Sequence, residues 1–426
     1  MKKIGVALLG LGTVGGGTYE ILTKNREYFR NTLGLDVEVK AVLEKNLERA
    51  KSLGVDEKIV FTDISAVTAN PEIEIVAEFF GGIEPARTFL IEALKAGKSI
   101  VTANKELFSK HWFELEAAAK ETGAGLYFEA SCVGGVPIIR TIEEGMQANH
   151  IEEIKGIING TTNYILTAMS DEGSEYGEAL KRAQELGYAE FDPTADVEGF
   201  DATYKISILS TLAYHKRVPI EKVSREGISK VDAADIKIGK ELGYTMKLLA
   251  VSKNRSGKIE ARVAPVFVPT THPLASVKGS FNAVYLHGDS VDDIMLYGRG
   301  AGALPTGSAI VSDILYCAKQ TSHKRYPFAE NVECVDKDFV SDYVAKFYIR
   351  LSAEDVEGVL AKITSVLKNK NINIEAVLQK KPVSKDNAQI VFVTDNVKET
   401  SIKKAIEEIK NLGAVKQVEA LYRIEE

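Results

Sequence analysis

Apolar and polar positions follow a regular pattern in the first third of the chain, where short apolar runs are separated by amphipathic segments. The apolar runs predict buried strands and the amphipathic segments predict helices. The predicted strands are Lys3–Gly10, Val37–Leu43, Ile59–Thr62, Ile73–Phe80, Ser99–Ala103 and Leu126–Ala130, and the predicted helices are Gly15–Phe29, Glu84–Ala96 and Glu106–Thr122. This alternation is typical of an α/β fold with a doubly wound parallel sheet, which we expect over residues 1–131.

The pattern changes after residue 131. Helical segments such as Glu175–Leu186 and Ala202–His215 lie among alternating strands such as Lys258–Val268 and Ala283–His287. This mixture predicts an α+β domain over residues 132–304, which we expect to bind the substrate and to dimerise. A helical pattern over Pro305–Gln320 follows a glycine cluster, and we expect that helix to return to the first domain.

The last part of the chain has its own order of elements. Residues 321–345 are polar and predict a linker. After it come strand, helix, strand, strand, helix and strand, at Lys346–Leu351, Gly358–Lys368, Ile372–Gln379, Gln389–Thr394, Glu399–Asn411 and Val415–Tyr422. This order predicts a ferredoxin-like domain over residues 346–426, tethered to a catalytic unit that is complete without it.

Composition narrows the class of protein. The chain has 426 residues, of which 45% are hydrophobic and 27% charged, and its net charge is −7. These proportions are typical of a soluble globular protein, and the negative charge disfavours nonspecific binding to nucleic acid. No apolar run is long enough to span a membrane, and the first residues do not continue as a secretory signal would. We therefore expect a cytoplasmic protein with neither nucleic acid nor membrane as a partner.

A glycine-rich turn follows the first strand and opens the first helix. In Gly10-Leu11-Gly12-Thr13-Val14-Gly15, the first glycine allows a tight turn, the second lets a pyrophosphate approach, and the third lets helix pack on strand. A plain strand–helix turn is the alternative, but the context is the one that a dinucleotide site requires. The turn predicts a Rossmann-type domain that binds NAD(H) or NADP(H), with Gly10, Leu11, Gly12, Thr13, Val14 and Gly15 at the cofactor.

Glu44 closes the second predicted strand. An acidic residue at this position binds the ribose hydroxyls of NAD and repels the 2′-phosphate of NADP. It follows Gly10 by 34 residues, farther than usual, because the crossover is long. The alternative is an exposed glutamate with no function.

A cluster of carboxylates lies within residues 183–205 and ends at Lys205. A substrate ammonium needs carboxylate partners, and a carbonyl that is being reduced needs a proton donor. Asp201 and Lys205 are four residues apart, so a helix places them on one face. Composition alone also allows Asp201 to be a helix cap and the rest of the stretch to be a solvated acidic loop.

The spacing in this stretch closely resembles that of the homoserine dehydrogenase family. The matching residues are Ala183, Gly187, Asp192-Pro193, Asp196, Gly199, Asp201 and Lys205. Further segments of the chain resemble the same family. They are 10–15, Gly81–Ala86, Val101–Lys105, Gly134–Pro137, Asn159–Leu166 and Gly298–Gly302.

The resemblance implies a role for each matching position. Lys205 would donate the proton, and Lys105 would lie beside cofactor and substrate and share in the proton transfer. Glu190, Asp201 and Asp196 would bind substrate, while Gly187 and Gly302 would join the turn residues and Lys105 at the cofactor. A sodium ion would be held by the Glu129 carboxylate and the backbone carbonyls of Cys132, Gly134 and Val136, since hard oxygen donors suit such a cation.

The implied reaction is the reduction of L-aspartate 4-semialdehyde to L-homoserine by a homodimer or homotetramer. Cys132 invites a rival interpretation as a catalytic thiol, but no histidine near it in the sequence is identifiable to activate it. In many members the position of Glu44 carries an arginine that suits NADPH, so the acid here leaves the cofactor preference open. The alternative function is a nonenzymatic amino-acid sensor on a decayed dehydrogenase fold.

Residues 346–426 resemble an ACT domain, a small module that senses amino acids. The resemblance lies in Tyr348–Leu351, Asp355–Leu360 and Asn371–Ile374. It implies an effector site near Asp355 and Gly358, with L-threonine as the expected ligand. Glu357 stands where relatives usually have proline, and a dimerisation module without a ligand is the alternative.

Overall fold

A parallel six-stranded sheet forms the first domain of the computed structural model, which describes residues 1–326, 333–380 and 388–426. Its strands are β1 Lys2–Leu9, β2 Leu35–Leu43, β3 Val60–Phe61, β4 Ile75–Glu78, β5 Ser99–Thr102 and β6 Leu126–Tyr127. The order is β3-β2-β1-β4-β5-β6, so the strand order reverses between β1 and β4. A ligand crevice opens at such a reversal, outside the carboxyl ends of the strands. The predicted α/β fold is confirmed.

The helices of this domain cover both faces of the sheet. They are α1 Thr13–Lys24, α2 Arg26–Leu33, α3 Leu47–Ser52, α4 Ser65–Thr68, α5 Ala86–Lys95 and α6 Lys105–Thr122. The single helix predicted over Gly15–Phe29 is two helices that meet at Asn25. The strand predicted to reach Ala130 ends at Tyr127, since the chain turns into a short 3-10 helix at Glu129–Ser131.

A later helix packs on the first domain. This helix, Ala303–Lys319, lies against α1, and its buried residues join the apolar core that includes β1 and β2. The approach is close because a Cβ on Gly17 would lie 2.3 Å from the Ala303 carbonyl oxygen. A Cβ on Gly307 would likewise lie 2.9 Å from the Thr18 amide nitrogen.

The middle of the chain contributes helices to one side of a second sheet. They are α7 Ile138–Arg140, α8 Gly160–Glu172, α9 Tyr176–Glu185, α10 Thr194–Val197, α11 Phe200–Tyr214 and α12 Ala233–Glu241, and Ala303–Lys319 follows as α13. α11 packs against the sheet and is buried along nearly its whole length. Its apolar and polar side chains are therefore both held away from solvent, which makes it a rigid support for functional groups.

The second sheet is mixed and has eleven strands. They are β7 Ile151–Ile157, β8 Ser224–Arg225, β9 Tyr244–Arg255, β10 Lys258–Pro269, β11 Phe281–Gly288, β12 Asp292–Arg299, β13 Val344–Ala353, β14 Ile374–Lys380, β15 Ala388–Thr394, β16 Val397–Lys398 and β17 Val415–Ile424. The order is β12-β11-β7-β9-β10-β17-β13-β15-β14, with β8 beside β10 and β16 beside β13. The last five strands belong to the C-terminal ferredoxin-like module, whose helices are α14 Val359–Asn369 and α15 Glu399–Lys410.

The C-terminal module is joined to the middle domain more closely than the sequence predicts. β17 pairs in parallel with β10 through Val266 with Arg423 and Phe267 with Ile424. The described parts of the predicted linker also pack on the middle domain, since Glu333 bridges Arg217; residues 327–332 lie outside the described residues. Residues 346–426 are therefore joined to the middle domain by a shared sheet and not by the linker alone. A catalytic unit that is complete without them stays a prediction.

Within residues 1–326, 333–380 and 388–426, no helix combines the length and the apolar character that a bilayer crossing requires.

Candidate active site

The glycine turn has the geometry of a phosphate cradle. Gly10 adopts a φ of +100°, and a Cβ on Gly15 would lie 2.2 Å from the Gly10 carbonyl oxygen. Gly12 precedes α1, which has no side-chain cap, so the amides at its start are available to an anion. A Cβ on Gly12 would meet nothing within 4 Å, which leaves open space in front of the helix. These residues fit a dinucleotide.

The Glu44 carboxylate lies against this turn and not in open solvent. Its two oxygens accept hydrogen bonds from the Leu11 amide at 2.8 Å and from the Asn46 amide at 2.9 Å. Arg49 Nε donates to the Leu11 carbonyl at 2.9 Å, so the turn is held by an acid and a base together. The interpretation of Glu44 as an unused exposed side chain is therefore wrong.

Lys105 begins α6, directly after β5. Asn104 caps this helix, because its side-chain oxygen accepts a hydrogen bond from the Leu107 amide at 3.0 Å. The position of the cap fixes the first turn, and Lys105 Nζ lies 3.4 Å from Asp201 Oδ1. The carboxyl edge of the first sheet thus contacts α11 of the middle domain at this ion pair.

Asp201 and Lys205 form the centre of the site. Lys205 Nζ lies 2.6 Å from Asp201 Oδ2 and donates to the Ile158 carbonyl at 2.8 Å, and both side chains are buried. Asn159 Nδ2 donates to Asp201 at 2.9 Å and to Asp196 at 2.7 Å. Asp201 is not a helix cap, since Gly199 occupies that position, so the alternative of a solvated loop is wrong for Asp201.

Sequence reasoning missed Asn159 and the Ile158 carbonyl. Asn159 caps α8, because its Oδ1 accepts from the Thr162 amide at 2.9 Å, and its amide group then faces the two aspartates. The sequence pattern of Asn before Gly-Thr-Thr at the end of a strand indicates a helix cap. A cap residue alone, however, does not reveal which carboxylates accept hydrogen bonds from its side-chain nitrogen.

The charges in the cluster shift one another's pKa. Burial disfavours ionisation of Asp201, but the attraction of Lys205 and Lys105 outweighs it and holds the pKa of Asp201 well below its ordinary value. Burial and the charge of Asp201 raise the pKa of Asp196. The pKa of Lys105 is raised, chiefly by Asp201. Asp201 is consequently a permanent anion between two ammonium groups.

The loop before α10 stands apart from the cluster. Glu190 is exposed, and its carboxylate forms no hydrogen bond or ion pair with any residue that the structure describes. The neighbouring Phe191 is 99% exposed, and Gly187 turns the chain with a φ of +74°. Asp192 accepts from the Thr194 amide at 3.1 Å, as a solvated loop would predict. The structure therefore does not bring Glu190 to Asp201 and Lys205.

The predicted sodium ligands lie in a buried turn behind the site. Both Glu129 oxygens accept backbone hydrogen bonds, from Ile139 at 2.8 Å and Arg140 at 2.9 Å, and burial raises the pKa of Glu129 to about 7. The Val136 carbonyl accepts from the Ile138 amide at 2.8 Å. Gly134 packs on the glycine cluster that contains Gly302, since a Cβ on it would lie 2.4 Å from the Gly300 carbonyl oxygen.

Cys132 has the environment of a packed side chain. It is fully buried, its Sγ lies 3.8 Å from the Lys205 carbonyl, and burial raises the pKa of its thiol to about 12. A nucleophilic cysteine needs the opposite shift, so this environment does not support the catalytic thiol.

The predicted effector residues lie at the start of α14. Gly358 precedes the helix with a φ of +82°, and Asp355 lies on the exposed turn before it.

A glycine turn at the reversal of a parallel sheet fits a dinucleotide, and the buried Lys205–Asp201 pair contacts Lys105 at the carboxyl edge of the same sheet. Together these features are those expected of a nicotinamide-dependent dehydrogenase. The homoserine dehydrogenase of Bacillus subtilis is 40% identical to this chain over 433 residues, which cover all of this chain and 99% of the relative. The chain therefore belongs to the homoserine dehydrogenase family. It is an NAD(P)-dependent oxidoreductase, so the alternative of a nonenzymatic sensor is wrong.

Family models and solved structures agree with this assignment. The models for the homoserine dehydrogenase NAD binding domain, for homoserine dehydrogenase and for the ACT domain match residues 10–129, 137–315 and 347–414. The crystal structure of a homoserine dehydrogenase from Thiobacillus denitrificans is 39% identical with a TM-score of 0.92, covering all of this chain and 99% of its own. A hyperthermophilic archaeal homoserine dehydrogenase in complex with NADPH has a TM-score of 0.65 at 28% identity, covering 75% of this chain and 99% of its own.

Proposed function

We propose that this chain reduces L-aspartate 4-semialdehyde to L-homoserine with NADH or NADPH, and that Lys205 donates the proton. The observation that carries the proposal is the Lys205 ammonium, which is fixed by Asp201 and the Ile158 carbonyl beside the partly exposed Lys105. The family assignment supplies the substrate class. The geometry supports the division of roles.

The cofactor, when bound at the glycine turn, supplies a hydride to the aldehyde carbon. Lys205 then protonates the oxygen, and the charge on its ammonium stabilises the alkoxide as it develops. Asp201 keeps Lys205 oriented. Because the pKa of Asp201 is strongly lowered, its carboxylate stays ionised and does not compete with the substrate oxygen for the proton of Lys205. Lys105 adds a second positive charge and shares in the proton transfer.

Turnover of the proposed substrate tests this function directly. Oxidation of NADH or NADPH should depend on added L-aspartate 4-semialdehyde, and the reverse reaction should depend on L-homoserine. Other small aldehydes serve as the specificity control. An enzyme that is folded and binds cofactor but leaves aspartate semialdehyde unchanged would contradict the proposal.

We propose that Glu190 and Asp196 bind the substrate ammonium. Glu190 is exposed and its carboxylate has no partner among the described residues, so it would have to approach the cluster when substrate binds. Glu190→Gln keeps the shape and removes the charge, and we expect the KM for homoserine to rise ~10-fold, the equivalent of ~1.4 kcal/mol. Asp192→Asn is the matched control, since Asp192 lies on the same loop and its carboxylate contacts the backbone amide and the side chain of Thr194. An unchanged KM in Glu190→Gln would show that Glu190 is a solvated loop residue that does not bind the substrate.

We propose that Glu44 biases the enzyme toward NAD(H). A carboxylate 2.8 Å from the Leu11 amide lies where the adenosine ribose approaches, and it would repel a 2′-phosphate. Glu44→Arg should therefore shift the ratio of kcat/KM for NADPH over NADH upward by ~10-fold or more, about 1.4 kcal/mol of differential binding. Glu44→Gln keeps an oxygen that can accept a hydrogen bond from the turn but removes the charge. It therefore distinguishes the effect of the charge on cofactor preference from the effect of a disturbed turn. A wild-type enzyme that clearly prefers NADPH would contradict this prediction.

We propose a sodium ion at this turn, held by the Glu129 carboxylate and the backbone carbonyls of Cys132, Gly134 and Val136. The Glu129 carboxylate is buried, and the guanidinium of its neighbour Arg140 pairs instead with Asp313 at 2.6 Å. A cation held by these oxygen donors would balance the buried charge and fix the turn. Its contribution would be structural. A homodimer or homotetramer stays a prediction.

We propose that the ACT domain binds L-threonine near Asp355 and Gly358 and thereby inhibits the enzyme. Inhibition requires that threonine favour a less active state by a differential affinity of ~1–3 kcal/mol, or about 5–150-fold. Calorimetry on the intact chain should detect binding that Asp355→Ala weakens, with L-valine as the ligand control. If threonine neither binds nor inhibits at millimolar concentration, the module is structural or senses another molecule.

A further inference from the structure

A buried carboxyl group that the proposed chemistry does not use lies at the foot of the cofactor crevice. Glu78 is the last residue of β4 and lies beside Leu9 of β1, where the strand order reverses. Its side chain is completely buried, and its Oε1 has no hydrogen-bond partner in the part of the chain that the structure describes. An acidic group in such a place is costly to keep unless it has a use.

The other oxygen of Glu78 begins a chain of hydrogen bonds that leads to the active site. Thr102 Oγ1 donates to Glu78 Oε2 at 2.5 Å, and the backbone amide of Asn104 donates to Thr102 Oγ1 at 2.9 Å. The Asn104 side chain then caps α6 at the Leu107 amide. The residue before Lys105 is thus fixed through both its backbone and its side chain.

The same asparagine also holds the loop that follows Glu78. Asn104 Nδ2 donates to the Phe80 carbonyl at 3.1 Å and to the Gly82 carbonyl at 2.7 Å. This loop forms one wall of the glycine turn, because a Cβ on Gly10 would lie 3.3 Å from the Phe80 ring. One network therefore joins the cofactor turn to the start of α6.

We infer that Glu78 is a positioning residue of the reaction, which acts through Thr102 and Asn104 to fix Lys105 opposite Asp201. Lys105 Nζ lies only 3.4 Å from Asp201 Oδ1, so a small displacement at the start of α6 alters the charge around the reacting oxygen. The inference rests on the proposed role of Lys105 in the reaction.

The ionisation of Glu78 is consistent with this role and suggests a conservative variant. Burial raises the pKa of Glu78 to about 7. The group therefore carries a proton for much of the time near neutral pH, and glutamine resembles that neutral form. Glutamine also keeps an oxygen that accepts the Thr102 hydrogen bond, whereas leucine has similar size and no acceptor.

The test compares Glu78→Leu, Glu78→Gln and Thr102→Val in the full chain, with kcat for homoserine oxidation and the Kd of the cofactor as readouts. We expect kcat to fall ~10-fold or more in Glu78→Leu and in Thr102→Val while the cofactor Kd changes less than ~3-fold. Glu78→Gln should keep at least about half of the wild-type kcat. The double variant that combines Glu78→Leu with Thr102→Val should have the same kcat as Glu78→Leu alone, since both changes break the same chain of hydrogen bonds.

Glu116→Leu is the matched control, because Glu116 is a fully buried carboxylate on α6 itself whose Oε1 accepts from the Tyr326 amide at 2.9 Å. It should lower the melting temperature without lowering kcat. Wild-type kcat in Thr102→Val, or additive losses in the double variant, would overturn the inference even if Glu78→Leu fails to fold. A wild-type enzyme without activity on homoserine would instead contradict the proposed function.

Discussion

Lys205→Met should lower kcat by ~10²-fold or more while the Kd of the cofactor stays within a few-fold of its wild-type value. Methionine keeps most of the apolar stem of lysine, so the packing of α11 is largely retained, but the proton donor and its charge are lost. Single-turnover reduction of the semialdehyde separates the chemical step from product release. Near-normal turnover would remove Lys205 from the mechanism and leave Lys105 as the proton donor.

The variant needs a control for the loss of a buried lysine as such. Lys247 offers one, because it is buried in the same domain, donates to Asn163 Oδ1 at 3.0 Å, and has its pKa lowered by burial to about 8. Lys247→Met should change the melting temperature but leave kcat within a few-fold. Equal losses of kcat in both variants would indicate that packing, and not proton donation, explains the Lys205 result.

Local patterns in the sequence account for most of the first domain and for half of the site. The glycine turn and the i and i+4 spacing of Asp201 and Lys205 are each contained within a few neighbouring residues. Each is set by backbone geometry that the sequence encodes directly. Periodicity finds the elements for the same reason, although it joins α1 and α2 across Asn25.

Interactions between distant segments could not be predicted in this way. The contact of Asn159 with both aspartates depends on how the start of α8 lies relative to α10 and α11, and no local pattern encodes that arrangement. The link from Glu78 to Lys105 crosses two neighbouring strands. The pairing of β17 with β10 joins segments more than a hundred residues apart, and the linker composition argued against it.

The joined sheet changes how the C-terminal module can be studied. Arg350 of β13 is buried against Asp235 of α12, with Nε 2.6 Å from Oδ1, and the Tyr348 hydroxyl donates to the same carboxylate at 2.9 Å. Truncation before Lys346 would remove both of these partners of Asp235 and expose the edge of β10 that β17 covers. A loss of activity after such a truncation would report on folding, so regulation has to be tested on the intact chain.

Glu425, just after β17, should be one of the most important single side chains for the stability of this junction. Its carboxylate is buried and forms ion pairs with Arg262 and Lys253, and its backbone amide donates to the Phe267 carbonyl at 2.8 Å. Burial alone would raise the pKa of Glu425, but the attraction of these cations lowers it far below its ordinary value. The carboxylate is therefore ionised in the folded protein and compensates the buried charge of Arg262.

Glu425→Ala should lower the free energy of unfolding by ~3–5 kcal/mol, because it leaves the Arg262 guanidinium, which is only 2% exposed, with a reduced set of partners in the interior. Glu419→Ala is the matched control, since Glu419 lies on β17 itself, is exposed and accepts a hydrogen bond from the Ser352 hydroxyl at 2.9 Å. It should change stability by less than about 1 kcal/mol. Chemical denaturation of the intact chain followed by circular dichroism measures both variants. Equal stabilities would show that the sheet holds the module through β17 and β10 alone, and that the buried carboxylate contributes nothing to the junction.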